Sequence, residues 1–168
     1  MSSIDELVFA VTFVAALGAG LIGGVFFAFS SFVMKALRGV APNAGIAAMQ
    51  SINVVVINLS FLSVFLGTTT ACVALVLYAV WGWRAPGTEC LLLGGSSYLA
   101  GTFLVTLMFN VPRNQALARV DPASLEAEAA KAVWTAYAES WTRWNHVRAL
   151  AAFIAAAYLA VALTQLKT

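Results

Sequence analysis

The chain has 168 residues, of which 62% are hydrophobic and only 10% charged, with a formal net charge of +2. Such a composition excludes an ordinary soluble domain and places the chain in the membrane class, as a single domain. The small net charge, without a basic block or an acidic tail, excludes a nucleic-acid partner.

The first residues, Met1 to Glu6, are acidic, and the apolar run behind them is far longer than a signal h-region, so no cleaved leader is expected. A span needs about 20 mostly apolar residues. Leu7 to Met34 carries no charge, and the first span is predicted over 7–36. No charge occurs between Arg38 and Arg84. Pro42, Asn43 and Gly45 read as a turn within that stretch, and the second span is predicted over 50–81. Trp81 to Gly87 reads as a short loop holding interfacial Trp81 and Trp83 together with Arg84. The third span is predicted over 90–111, ended by Pro112.

The polar stretch 113–144 follows. Asp121 reads as a helix N-cap, with Pro122 in the first turn and Glu126 and Glu128 at the positive end of the helix. The fourth span is predicted over 145–166. One continuous helix from Pro122 to Leu166 would far exceed the bilayer, so a bend or an interfacial helix is expected before it. The fold class is therefore all-α: an integral membrane bundle of four transmembrane helices with an extra amphipathic helix before the fourth. Cys72 and Cys90 lie at different depths, which argues against a disulfide, and no Cys/His cluster suggests a zinc site.

Lys35, Arg38, Arg113, Arg119, Lys131, Arg143 and Arg148 fall on one side of this topology, against Arg84 and Lys167 on the other. The basic side is predicted to be cytoplasmic, with both termini outside and the bacterial inner membrane as the location. Ala16, Gly20, Gly24 and Ala28 recur every fourth residue. Small residues at that spacing mark a face that meets another helix, within the chain or across a homo-oligomer through Gly20 and Gly24. Thr102, Thr106, Asn110 and Asn114 form a polar ladder of the same period. An unpartnered amide in hydrocarbon costs about 2–7 kcal/mol, so the ladder is predicted to face the bundle or a cavity.

Polar residues gather at the basic end: Asn110, Arg113 and Asn114 from span three, Asn145, His146 and Arg148 with Trp141 and Trp144 from span four, and Gln50 and Asn53 from span two. The segments Gly24–Met34 (GVFFAFSSFVM), Gly45–Asn53 (GIAAMQSIN), Phe109–Asn114 (FNVPRN) and Trp141–Arg148 (WTRWNHVR) resemble the anthrone oxygenase-like family of small membrane proteins. The resemblance covers nearly the whole chain. It implies an oxygenase or oxidoreductase that acts on a lipophilic aromatic, anthrone- or hydroquinone-like substrate at the cytoplasmic interface. It also implies dioxygen as co-substrate, membrane lipid as surroundings, and no organic cofactor.

That chemistry needs a base, donors for an oxyanion and a flat apolar pocket. His146, the only histidine, is the natural base. Arg148, Asn145 and Asn110 are the other catalytic candidates. Asn114, Trp141, Trp144, Tyr137, Asn53 and Gln50 are candidates for substrate binding. On a continuous helix, Trp134, Tyr137, Trp141, Trp144, Asn145 and Arg148 share one stripe about a third of the circumference wide, and His146 falls off it.

Other roles stay open for the same residues. The tryptophans also read as interfacial anchors, Arg148 as a snorkelling cation, and Asn110 and Asn114 as partners for carbonyls freed by Pro112. Other functions stay open as well: a metal- or haem-dependent membrane redox protein, with His146 as the one candidate ligand, or a non-catalytic small-molecule-binding or helix-packing subunit. A transporter is disfavoured, because no inverted repeat is visible.

Overall fold

A computed structural model describes residues 3–82 and 86–166. Trp83, Arg84 and Lys167 lie outside the described residues. Five helices, and no strand, occur among those described: α1 (Ile4–Arg38), α2 (Pro42–Val55), α3 (Leu59–Trp81), α4 (Thr88–Ala118) and α5 (Ala127–Gln165). Of these, α1, α3, α4 and α5 are long and apolar enough to cross a membrane. The chain is an all-α integral membrane protein. Each spanning helix packs against its sequence neighbours, and α5 closes the ring by packing along α1.

The helix ends differ from the sequence expectation in four places, each with a physical cause. First, Pro42 begins a helix rather than a turn: it occupies the first turn of α2, where its missing N–H costs nothing. That helix stops at Val55, and Asn58 caps the start of α3 by accepting from the Phe61 N–H at 2.9 Å. Second, α4 runs through Pro112 to Ala118. Two wide π turns, Tyr98–Leu104 and Thr106–Asn110, come just before the proline, where its ring would otherwise meet the preceding turn.

Third, Asp121 does not start the long helix. Its side chain accepts from the Ala123 N–H at 3.0 Å, which folds 121–124 into a turn, and α5 begins at Ala127 behind Glu126. Fourth, the extra helix precedes the second span instead of the fourth, and α5 is a single helix of 39 residues. At 1.5 Å per residue it is about 58 Å long, close to twice the hydrocarbon thickness.

The surplus length of α5 is explained by a second core. One apolar cluster, including Ala15, Ile22, Phe65, Leu75, Tyr98 and Leu159, fills the membrane bundle. A separate cluster of Met34, Ile46, Met49, Leu117, Trp134 and Tyr137 lies at the basic end. It joins the ends of α1 and α4, the whole of α2, and the first half of α5 into a cap outside the apolar spans. Gly45 of α2 makes this packing possible, because a Cβ there would stand 2.7 Å from the Trp134 indole.

The small-residue stripe is not the inward face of α1. Thr12, Ala15, Ala19, Ile22 and Phe26 are buried, whereas the space over Gly20 and Gly24 is open. The glycines in contact are Gly18, against Thr68, and Gly23, against Ala152 and Phe153.

Candidate functional site

Between the two cores lies a band of polar side chains. It is built on the π turns of α1 and α4 and on one stripe of α5. The ladder of α4 points at α5 along its length. Thr102 Oγ1 donates to the Arg148 carbonyl at 3.1 Å, and Asn110 Nδ2 donates to the Trp141 carbonyl at 3.3 Å. Asn114 Oδ1 accepts from both the Tyr137 hydroxyl at 3.0 Å and Trp141 Nε1 at 2.9 Å. Four-residue spacing drifts by about 40° per step on an α-helix. A π turn takes more residues per revolution and counteracts that drift, which keeps the four side chains in one row.

Arg148 is the centre of the band. It is 4% exposed, and its guanidinium donates to Asn145 Oδ1 at 2.7 Å and to Thr106 Oγ1 at 3.3 Å. The cation lies 4.0 Å from the centroid of the Phe26 ring and 5.1 Å from that of Trp141. Asn145 is anchored in turn on α1: its Nδ2 donates to the Phe26 carbonyl at 2.7 Å and to Ser30 Oγ at 2.8 Å. The π turn Phe29–Val33 widens α1 at this point, where the amide comes in.

Among the described residues no carboxylate pairs with Arg148, and its Nε is buried without a partner. A bare buried cation is costly, because taking an ion out of water costs several kcal/mol (~3 or more) unless charge and hydrogen bonds compensate it. The amide, hydroxyl and ring faces here fix the guanidinium in place, but none of them carries a negative charge.

The candidates from the sequence separate into three groups. Arg148, Asn145, Asn110, Asn114, Trp141 and Tyr137 come together in the band. Asn53 lies beside the Tyr137 hydroxyl, with its amide nitrogen buried and unpartnered. Gln50 and Trp144 have other work. Gln50 Nε2 holds the Leu117 and Val120 carbonyls, both at 2.8 Å, and so closes the end of α4. Trp144 stacks on Phe109 with centroids 3.6 Å apart.

His146 is exposed on the outer face of α5, away from the band, and is not brought together with Arg148, Asn145 and Asn110. The side-chain bonds of Asn110 and Asn114 run to Tyr137 and Trp141 of α5 rather than to carbonyls of α4; Arg113 Nη1 binds the Phe109 carbonyl at 2.6 Å, and its Nε binds Ser140 Oγ. Thr106 comes to Arg148 as a rung of the ladder, whereas Phe26 and Ser30 carry no sequence signal as site residues. A serine or phenylalanine in an apolar run reads as packing, and the signal that groups them with Arg148 exists only in three dimensions.

An open groove of ≈ 360 Å³ runs between the end of α4 and α5, lined by Arg113, Leu117, Val120, Val133, Tyr137 and Ser140 among others. It reaches the band at Tyr137. No group of three or more His, Cys, Asp or Glu side chains that could hold a metal ion occurs among the described residues.

The family model described as anthrone oxygenase matches residues 58–158, which takes in α3, α4 and most of α5, with Arg148 and its partners on α4 and α5 but not those on α1. No curated protein and no solved structure matches the chain.

Proposed function

Because the chain belongs to the anthrone oxygenase family, we propose that it oxidises an anthrone-like polycyclic substrate with dioxygen, and that Arg148 holds the substrate's oxyanion. The observation that carries this reading is the buried guanidinium with no carboxylate partner. Such a site is incomplete until an anion arrives. An anthrone becomes one when the methylene opposite its carbonyl loses a proton and the charge moves onto the carbonyl oxygen.

The chemistry then follows from the anion itself. The electron-rich anion passes one electron to dioxygen, and the resulting radical and superoxide combine at the former methylene carbon. The new peroxide takes up a proton. Loss of the second C–H proton breaks the O–O bond, releases water and leaves a second carbonyl. The balance is anthrone plus dioxygen to anthraquinone plus water, with dioxygen as the oxidant.

In this scheme the protein contributes a fixed positive charge in a dry setting. That charge favours the deprotonated substrate and makes a water molecule an adequate base. Asn145, Thr106, Phe26 and Trp141 aim the guanidinium. No metal or organic cofactor is part of the scheme.

The groove at Tyr137 is the proposed approach for the substrate, which partitions into the membrane surface. The cap carries Lys35, Arg38, Arg113, Arg119 and Lys131. By the positive-inside rule it lies in the cytoplasm, with both termini outside and the inner membrane as the location.

The test is oxygen uptake by detergent-purified protein given an anthrone, with the quinone followed by its absorbance. One quinone per dioxygen is expected, at a rate unchanged by chelators. A rate no higher than the uncatalysed one, or a rate lost on chelation, overturns the proposal.

A further inference from the structure

The outward stripe of α2 changes character along its length. Ala44, Ala47 and Ser51 are exposed, and Val54 and Val55 follow on the same stripe. The corner that leads into α3 continues the change: Val54 is 72% exposed, Val55 66%, Ile57 69% and Leu59 85%. Small and polar side chains give way, within one turn, to large apolar ones. The patch then passes without a break into α3, which begins at Leu59 and is long and apolar enough to cross a membrane. Lipid therefore already reaches its lower edge.

Contacts with α5 fix the height of this corner. Asn43 Nδ2 donates to the Leu125 carbonyl at 3.4 Å, a Cβ at Gly45 would touch Trp134, and Asn53 lies beside the Tyr137 hydroxyl. So α2 runs alongside the first half of α5 in the same direction, and its last turn is level with the turn that follows Tyr137. Glu139 and Arg143 are exposed there, about half a circumference of α5 away from Trp134 and Tyr137. Arg143, six residues past Tyr137, is about 9 Å nearer the spans.

A membrane surface perpendicular to α5 cannot suit both sides. Set high enough to cover Val54 and Val55, it draws Glu139 and Arg143 into lipid, where a charge is costly. Set low enough to spare the charges, it leaves a contiguous apolar patch in water. An oblique surface avoids both, and a tilt of about 20° is ordinary for spanning helices.

We propose that the corner from Val54 to Leu59 is immersed among the acyl chains of the leaflet on the cap side. The cap then leans on the membrane through α2, while the charged face of α5 stays in water. This inference does not depend on the oxygenase reading.

The test places a nitroxide label at single cysteines of the full chain in phosphatidylcholine nanodiscs. Half-buried Cys90 is replaced by Ala, and Cys72, which is 0% exposed, stays. Ala47→Cys, Ser51→Cys, Val55→Cys, Ile57→Cys and Glu139→Cys each carry the label at an exposed position. Relaxation by dioxygen reports lipid, and relaxation by a water-soluble nickel chelate reports water.

The nickel chelate is expected to dominate at Ala47, Ser51 and Glu139, and dioxygen at Val55 and Ile57. Nickel access at Val55 and Ile57 equal to that at Ser51 overturns the proposal. Protection of both from either reagent also overturns it, because a second copy or another protein then covers the corner. Dominance of dioxygen at Glu139 as well as at Val55 overturns the lean. If Cys90→Ala does not fold, the same labels on the native background, less the signal of Cys90 alone, give the same comparison.

Discussion

Replacing Arg148 by Met removes the charge while keeping an unbranched chain of similar reach. An oxyanion about 4 Å from the guanidinium is stabilised by about 4 kcal/mol at an effective dielectric of 20. Losing that stabilisation slows oxidation by about 10³. The effect on folding is different in kind. The variant loses the bonds to Asn145 and Thr106, each worth about 1.5–3 kcal/mol when one partner is charged. It also relieves the desolvation of an unpaired ion, which is several kcal/mol (~3 or more). These contributions oppose one another, so the melting temperature in detergent should move by only a few degrees. Arg148→Lys keeps the charge but loses the fork that reaches both partners, and an intermediate loss of about tenfold is expected. The assay is oxygen uptake per folded molecule, with folding followed by helical circular dichroism. Wild-type turnover in Arg148→Met refutes the oxyanion assignment. Collapse of the fold, with full activity in whatever remains folded, makes Arg148 a structural residue.

Further predictions concern the surroundings of the site. His146→Ala should leave oxygen uptake within about twofold of wild type, because the side chain is exposed outside the band; a tenfold loss would restore it as the base. Gln50→Leu leaves two carbonyls at the end of α4 without their donor. It should cost about 1–3 kcal/mol of stability, seen in thermal melting, with KM unchanged. Gly95→Ala puts a Cβ 2.6 Å from Val76 Cγ2 and 3.1 Å from the Cys72 carbonyl oxygen. It should cost about 1–3 kcal/mol. Gly24→Ala meets nothing within 4 Å and should not lower the melting temperature, since helix propensity favours Ala by about 0.4–1 kcal/mol. A smaller particle in detergent for Gly24→Leu would show that this outward face joins two copies.

Much of the fold is legible in the sequence, because hydrocarbon imposes strict demands. Uninterrupted apolar runs locate the spans, and a threonine–asparagine ladder inside one of them has to find polar partners. Its partners on α5 also lie on one helical stripe, which is why the position of His146 off that stripe is visible from numbering alone.

What is not legible depends on partners distant in sequence. Bilayer thickness alone argues for breaking α5, but α2 and the ends of α1 and α4 supply a second core against which it continues without a break. Pro112 reads as a stop because the π turns that accommodate it leave no compositional mark. Small residues lie on two faces of α1, and only the placement of Thr68 and Ala152 shows that Gly18 and Gly23 are the ones in contact. Ser30 enters the site only because Asn145 reaches across to it.

The claim that Arg148 stabilises a ligand oxyanion can be measured without turnover. Hydroxyanthraquinones change colour when a phenol ionises, so the ionisation of 1,8-dihydroxyanthraquinone bound to the protein can be titrated in visible light. A cation about 4 Å from the oxygen should bring that ionisation to a pH about 3 lower than for the free dye, and Arg148→Met should return it to the free value. Ionisation at the same pH bound and free, or an equal displacement in Arg148→Met, would contradict the account.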